Sequence, residues 1–501
     1  MAGADLTVPG DVTERDDVQA LLRSGFGPLT EACFLLLRVA DVVAARAWLA
    51  RVHVTSMADL DTKQETVLQV ALTAAGMRAL GTDPKVIDGF SAEFVAGMAG
   101  DAARSRRLGD VGPDAPEHWD WGWAEREPHA LVMLYAQPGA LAVFREEVVG
   151  SIGAGFDVLT SLETSDMKGH EPFGFLDGVS QPSIDWNGER APGSAADLDY
   201  GNLIAAGEFV LGYRNEYGRL TERPIVDGAQ DERAAALLPR AADRPKAYDS
   251  GRNGTYLVLR QLEQDVPGFW RTMSAAAPAN PIPLAEAVVG RRLDGSPLVP
   301  LQPQRIPGVG EDAGDRVRNQ FTYTRDPQGL ACPIGAHVRR ANPRNGDMAE
   351  GRTGLVGQLL CTLGFAADTD ADRIAPSRFH RLLRRGREYG RLLSIREAQA
   401  SVEHPPAGIH FLCLNANISR QFEFVQNAWL QGTTFGGLTG EADPLTGNRA
   451  PLMTGAATDG FSMPQGGGVA KRVAALPRFV TVRGGGYFFL PGVRALRYLA
   501  G

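Results

Sequence analysis

The sequence predicts an α+β protein made of two ferredoxin-like halves, each an antiparallel sheet with helices packed on it. Three observations carry this. Apolar runs of strand length alternate with helical periodicity in the order β-α-β-(α)-β-α-β within the first part of the chain. The same order returns later with longer insertions, as a repeat of pattern without a repeat of sequence. Gly and Pro concentrate in Ala191–Gly201, Ala276–Gly314 and Gly432–Gly468. The last two stretches exceed ordinary connections, which marks them as ordered functional loops or mobile insertions.

Element by element, Thr30–Val39 is an apolar strand. Asp41–Val52 follows with Ala, Trp and Leu at helical spacing behind Asp41 as N-cap. Glu65–Leu72 is a strand, Ala74–Leu80 and Lys85–Gly97 are helices, and His129–Ala136 is a third strand. Helix Gly139–Val149 and strand Gly155–Leu162 close the first half, 1–165. In the second half, 166–501, Gly254–Leu259 is a strand and Leu262–Ala275 a helix. Strands Arg378–Leu383 and Gly408–Leu414, helix Ile418–Leu430 and strand Phe479–Leu490 complete the pattern.

The 501 residues are 44% hydrophobic and 22% charged, ordinary for a globular protein large enough to enclose a prosthetic group. A net charge of −8 gains nothing from a polyanion, and aromatic-rich RNA-binding strands are missing, so nucleic acid is not an expected partner. The basic clusters Arg339-Arg340…Arg344 and Arg381…Arg387 read, on their own, as solvated faces. Cys33, Cys332, Cys361 and Cys413 form no C-x-x-C pair and no disulfide framework. With no secretion or twin-arginine signal in Met1–Asp17, a reducing, cytoplasmic location is expected. The apolar run Cys33–Ala50 contains Arg38, Asp41 and Arg46, so no membrane span is expected.

Three segments carry chemistry. In Glu171-Pro-Phe-Gly-Phe-Leu-Asp177-Gly-Val-Ser-Gln-Pro182, Asp177 lies between Gly174 and Gly178. An acid in such a turn is a turn-stabilising residue or an aimed proton shuttle, and the local pattern favours the former. In Cys332-Pro-Ile-Gly-Ala-His337-Val-Arg-Arg-Ala-Asn-Pro-Arg344 the histidine stands alone. None of the eight histidines has H-x-x-x-H or H-E-x-x-H spacing, which leaves a zinc site poorly supported. A single axial histidine to haem needs no such partner, because the porphyrin supplies the other ligands. In His380-Arg-Leu-Leu-Arg384-Arg-Gly-Arg-Glu-Tyr-Gly390, a permanently charged guanidinium could hold a propionate or polarise a peroxide bond, or simply face water.

Taken together, these segments resemble the dye-decolorizing peroxidases. The G-x-x-D-G motif stands as Gly174-Phe-Leu-Asp177-Gly178, the proximal histidine segment as GAHVRRANPR and the distal arginine segment as LLRRGREYG. DVQALLRSGFGPLTEACFLLLR, GEFVLGYRNEYG, GIHFLCLNANISRQFEFVQNAWL and FVTVRGGGYFFLPGVRAL resemble the long-chain branch, so the likeness runs from about Asp17 to the C-terminus. It implies haem b (iron protoporphyrin IX) between sheet and helices of the two ferredoxin-like halves, in a C-terminal haem-binding half. It implies His337 as iron ligand, Asp177 as distal acid, and Arg384 as distal arginine and cofactor contact, with Arg385 as runner-up. Arg339 and Arg344 are implied at the propionates, and Leu412 or Leu414 on the distal wall. Gly386 falls where some relatives carry Asn, leaving Asp177 and Arg384 as the only polar distal pair. An insertion around Gly351–Pro376 is expected to cover the haem edge.

The implied activity is a peroxidase that reduces hydrogen peroxide and oxidises dyes, phenols or other small organic reductants through a ferryl intermediate. A haem-binding protein with a transfer, oxygenase-like or biosynthetic oxidant role is the alternative, and a fold that binds no haem is a third. The hydrogen-bond partner of His337, the reductant and homo-oligomerisation are left open. Trp119, Trp121, Trp123 and Tyr389 read as packing aromatics rather than an electron path.

Overall fold

The computed structural model describes residues 13–190, 192, 200–229, 231–310, 312–345, 376–401, 403 and 405–501. The expected insertion at Gly351–Pro376 lies almost wholly outside them, as do Cys361 and His404.

Nine strands form one antiparallel sheet. In the first half these are β1 (Glu31–Val39), β2 (Thr66–Leu72), β3 (Ala130–Ala136) and β4 (Phe156–Glu163), with helices α1 (Val42–Arg51) and α2 (Leu141–Ile152). In the second half they are β5 (Thr255–Gln264), the short β6 (Leu383–Arg384) and β7 (Arg387–Tyr389), β8 (Gly408–Asn415) and β9 (Val480–Leu490). Helices α3 (Val266–Ala276) and α4 (His337–Ala341) belong to this half, with α5, a pair of π-type windings over Ser419–Glu423 and Val425–Gln431. The strand order is β6–β8–β5–β9–β2–β3–β1–β4, with β7 also on β8. Each half therefore repeats the ferredoxin-like arrangement, a first strand flanked by the third and the fourth, and the halves join edge to edge through the pair Phe489–Leu72.

Alternation along the strands explains why the sheet holds. Cys33, Leu35 and Leu37 of β1 enter one core with Trp48 and Leu49 of α1 and Val148 of α2. Phe34 and Leu36 enter the opposite core, with Val18–Leu22, Phe209 and Tyr213. A sheet buried on both faces needs near-continuous apolar runs, and β1 and β3 supply them.

The structure moves some expected boundaries. The strand expected to end at Leu259 runs to Gln264, because Asp265 caps α3 by accepting from the Gly268 N–H at 2.7 Å. Lys85–Gly97 is two short helices, Pro84–Ile87 and Ala92–Ala96, each with its own cap, Asp83 and Ser91. Arg378–Leu383 is mostly a 3-10 turn, Pro376–His380, ahead of β6. Trp119 and Trp121 are buried and hydrogen-bonded to Asp114 O and Gln261 Oε1, which fits packing roles, while Trp123 is exposed. Among the described residues no helix is long and apolar enough to cross a membrane.

Candidate active site

His337 opens α4, and its position is set from behind. Asp443, fully buried in the Gly/Pro-rich stretch Gly432–Gly468, accepts the N–H groups of Leu445 (3.0 Å) and Thr446 (2.8 Å) and the Thr446 hydroxyl (3.0 Å). The same carboxylate faces His337 Nδ1 at 3.0 and 3.1 Å. The Asp443 N–H donates to Leu430 O on α5 at 2.8 Å. Arg340, one turn along α4 and fully buried, donates to Trp429 O (2.7 Å), Gly432 O (3.0 Å) and Glu441 O (2.5 Å). Helix α4, the Asp443 loop and α5 are thus one clamped unit. Burial works against the imidazolium, but Asp443 overrides it and raises His337 above the usual histidine range. Burial likewise works against the Asp443 carboxylate, and His337 and Arg340 hold it well below its usual range. In the neutral imidazole, donation from Nδ1 to Asp443 leaves Nε2 without a proton and with its lone pair free.

Opposite elements supply the acid and the arginine. Gly174 (φ 98°) and Gly178 (φ 70°) take left-handed conformations that let the chain turn tightly on both sides of Asp177. The Asp177 N–H donates to Gly169 O at 2.8 Å. Arg384 on β6 approaches Asp177 Oδ1 with Nη1 at 3.2 Å. Its Nη2 donates to Ser180 O (3.3 Å) and its backbone N–H to Gln181 Oε1 (2.9 Å). Burial pushes the Asp177 carboxyl up, but Arg384 and the Gly178 N–H outweigh it, and the net shift is downward. His337, Asp177 and Arg384 line one cavity of about 310 Å³, within the range of small-ligand and cofactor sites. It lies between the Arg260/Leu262/Phe411/Val482 face of the second-half sheet and helices α4 and α5.

No family model matches the chain. It is 28% identical over 518 residues to the multifunctional dye peroxidase of Amycolatopsis sp., covering 96% of this chain and 92% of the relative. It is 27% identical over 466 residues to a dye-decolorizing peroxidase of Exidia glandulosa, covering 88% of this chain and 77% of the relative. The crystal structure of a fungal DyP-type peroxidase from Auricularia auricula-judae superposes with a TM-score of 0.70 at 24% identity, over 97% of this chain and 99% of that one. Over almost its whole length the chain is similar to dye-decolorizing peroxidases, in sequence and in fold alike. It is an enzyme of the peroxidase class, and its cofactor is a haem.

The residues facing the cavity fit such a group. His337 presents an imidazole with Nδ1 already engaged, and Phe173, Phe175, Phe411 and Trp429 give apolar walls. Arg291, Arg344 and Arg381 line the same cavity, and their guanidiniums donate to carbonyl, amide and phenol oxygens. Burial pushes Arg291 down to about 10, and the like charges of Arg344 and Arg384 add to this. Such a concentration of positive charge calls for anionic groups, which propionates supply.

Three expectations for individual residues of this peroxidase change. Arg339 is buried away from the cavity, donating to Asp326 Oδ2 (3.2 Å), Asp326 O (2.9 Å) and Cys332 O (2.7 Å) and lying 4.3 Å over the Tyr323 ring. It braces the loop before α4 and is not placed to reach a propionate. Leu412 and Leu414 point into the core on the other sheet face; Ile409 and Phe411 line the cavity instead. A strand's side chains alternate, so an assignment one residue out selects the wrong face. Arg385, on the face opposite Arg384, donates to Leu21 O and Leu22 O. Asp443, which the sequence reading missed, carries no motif that links it to His337 across 106 positions; the Gly/Pro-rich stretch around it was the only signal. Glu171 also lines the cavity, so Asp177 and Arg384 are not its only polar pair.

The reassigned leucine gives a test. Leu412→Ala is expected to cost about 2–5 kcal/mol of stability, seen as a lower urea midpoint, with peroxide kinetics of the folded enzyme unchanged. Impaired kinetics at full stability would return Leu412 to the cavity wall.

Proposed function

We propose that this chain is a haem b peroxidase that reduces hydrogen peroxide and oxidises dyes, phenols and other small organic reductants. His337 is the iron ligand in this reading. Asp177 is the acid–base group, Arg384 the fixed positive charge, and Arg344, Arg291 and Arg381 the propionate partners. The observation that carries it is the convergence on one cavity of a carboxylate-backed imidazole and an aspartate–arginine pair. A structural neighbour described as a dye-decolorizing peroxidase in complex with 2,6-dimethoxyphenol, at TM-score 0.69, supports a phenolic reductant class. The division into 1–165 and a haem-binding 166–501 belongs to the same reading. So does a reducing, cytoplasmic compartment, supported by Cys33, Cys332 and Cys413 as buried, unpaired thiols.

When bound, the haem supplies the iron that activates peroxide and stores the oxidising equivalents. The chain's own groups handle protons and charge. Asp177, kept ionised by Arg384, takes the first proton of hydrogen peroxide and returns it to the departing oxygen, so that water leaves. Arg384 cannot lose its proton and stabilises the negative charge that develops between these events. Asp443 accepts from Nδ1, fixes the imidazole's orientation and raises its basicity.

The test is an absorption spectrum of haem-loaded enzyme beside His337→Ala, before and after one equivalent of hydrogen peroxide. A Soret band that depends on His337 and shifts with peroxide is expected. A His337-dependent band that peroxide leaves unchanged would favour haem storage or transfer, and a band indifferent to His337 would remove it as ligand.

A further inference from the structure

Glu171 stands six positions before Asp177 on the same turn and lines the same cavity, yet the proposed reaction gives it no task. Its contacts are specific. Oε1 accepts the Phe175 N–H at 3.0 Å, and Oε2 accepts the Phe173 N–H at 3.1 Å and Gln264 Nε2 at 2.8 Å. Its backbone closes the same turn, the Glu171 N–H donating to Phe175 O at 2.9 Å and Glu171 O accepting from Gly174 at 2.8 Å. The next residues deliver Asp177: Leu176 bridges to His170 and donates to Leu293 O at 3.0 Å.

Phe173 and Phe175 are packed in the core beneath the turn, with Phe173 and Phe269 ring centroids 4.5 Å apart and Trp270 Nε1 donating to Phe173 O at 3.1 Å. Gln264 is the last residue of β5, paired with Val480 of β9. The carboxyl of Glu171 is therefore the joint between a rigid sheet and the turn that presents the acid. All its partners are N–H dipoles rather than cations, and burial pushes it up to about 7, the Asp177 charge adding to the effect. A carboxyl maintained at such cost on a cavity wall invites a role beyond turn closure.

We propose that Glu171 is a positioning residue for Asp177: its side chain splints the 171–177 turn to the sheet through Gln264 and so aims the Asp177 carboxylate into the cavity. The inference rests on Asp177 acting on peroxide as proposed above. Glutamine at 171 keeps the volume but offers one acceptor oxygen where two are used, and turns an N–H donor toward a backbone N–H. The turn then relaxes and Asp177 loses its aim. Misplacement of about 1 Å costs up to roughly 10²-fold in rate.

The experiment is a double-mutant cycle in full-length, haem-loaded enzyme, using Glu171→Gln, Asp177→Asn and the pair. The rate constant for reaction with hydrogen peroxide is read by stopped flow, beside hydrogen exchange of segment 169–178. The expected result is a Glu171→Gln loss approaching 10²-fold that nearly vanishes in the Asp177→Asn background. The KM for the dye stays unchanged and exchange in 169–178 is faster. An equal loss in both backgrounds, or no loss with exchange unchanged, overturns the proposal. If Glu171→Gln does not fold, Gln264→Met decides by the same cycle, since it removes one donor and leaves both backbone bonds. If Asp177→Asn alone has no effect, the assignment of Asp177 is what fails. The exchange of 169–178 then tests the splint by itself, and unchanged exchange overturns it.

Discussion

Asp443→Ala is expected to be among the most damaging single changes, with a loss of about 3–5 kcal/mol in folding stability and a 10–100-fold loss in haem affinity. The carboxylate is fully buried and receives two backbone N–H groups and a hydroxyl in addition to His337. Alanine leaves all of these unpaired, removes the charge that Arg340 faces, and frees the imidazole to turn. Asp443→Asn is a sharper probe. If the amide oxygen accepts from Nδ1, the amide nitrogen confronts the N–H groups of Leu445 and Thr446. If the amide flips, Nδ1 must accept and Nε2 carries the proton, which blocks ligation. Haem titration of purified variants beside urea denaturation measures both effects, and a variant with wild-type haem affinity would sink the role given to Asp443.

The same pair predicts a pH window for the haem-free chain. The folded carboxyl is depressed, so its contribution is present above the unfolded value near ~4 and is lost as pH falls through the lower folded value. The folded imidazole is raised, so its contribution is present below ~6.5 and is lost as pH rises through the higher folded value. Stability conferred by the pair is therefore greatest between these limits, and His337→Ala should flatten the profile there.

Sequence reasoning reached the sheet because apolar runs such as β1 and β3 are long and leave little choice of element. It singled out His337, Asp177 and Arg384, which the fold brings to one cavity, because each lies in a compact motif. It failed where the deciding contact is distant or depends on phase. Asp443 meets its histidine only through the fold of a Gly-rich loop. Leu412 and Phe411 are equally apolar, and only the register of β8 against β5 decides which faces the cavity. Arg384 and Arg385 differ by one residue and by sheet face, and the Asp177 contact separates them. Arg339 sat in the right segment, yet its guanidinium was committed to Asp326, which no local pattern announces.

Asp177→Asn should slow the reaction with hydrogen peroxide by about 10²–10⁴-fold while haem loading is retained, because the amide cannot take the proton. The pH dependence adds a sign. Arg384 overcomes burial and keeps the carboxyl below its usual range, so the base form survives into acid and activity is lost only as pH falls through that lowered value. Replacing the arginine reverses the balance: in Arg384→Gln burial dominates, the carboxyl titrates higher, and the acid limb of the rate profile moves toward neutral pH. The rate above that limb also falls, since the developing charge has lost its fixed partner. Because acid and arginine act on one proton transfer, the double variant should be little worse than Asp177→Asn alone. Stopped-flow rate constants for the three variants across the acid range test this, and an acid limb that stays in place in Arg384→Gln would separate the ionisation of Asp177 from the arginine beside it.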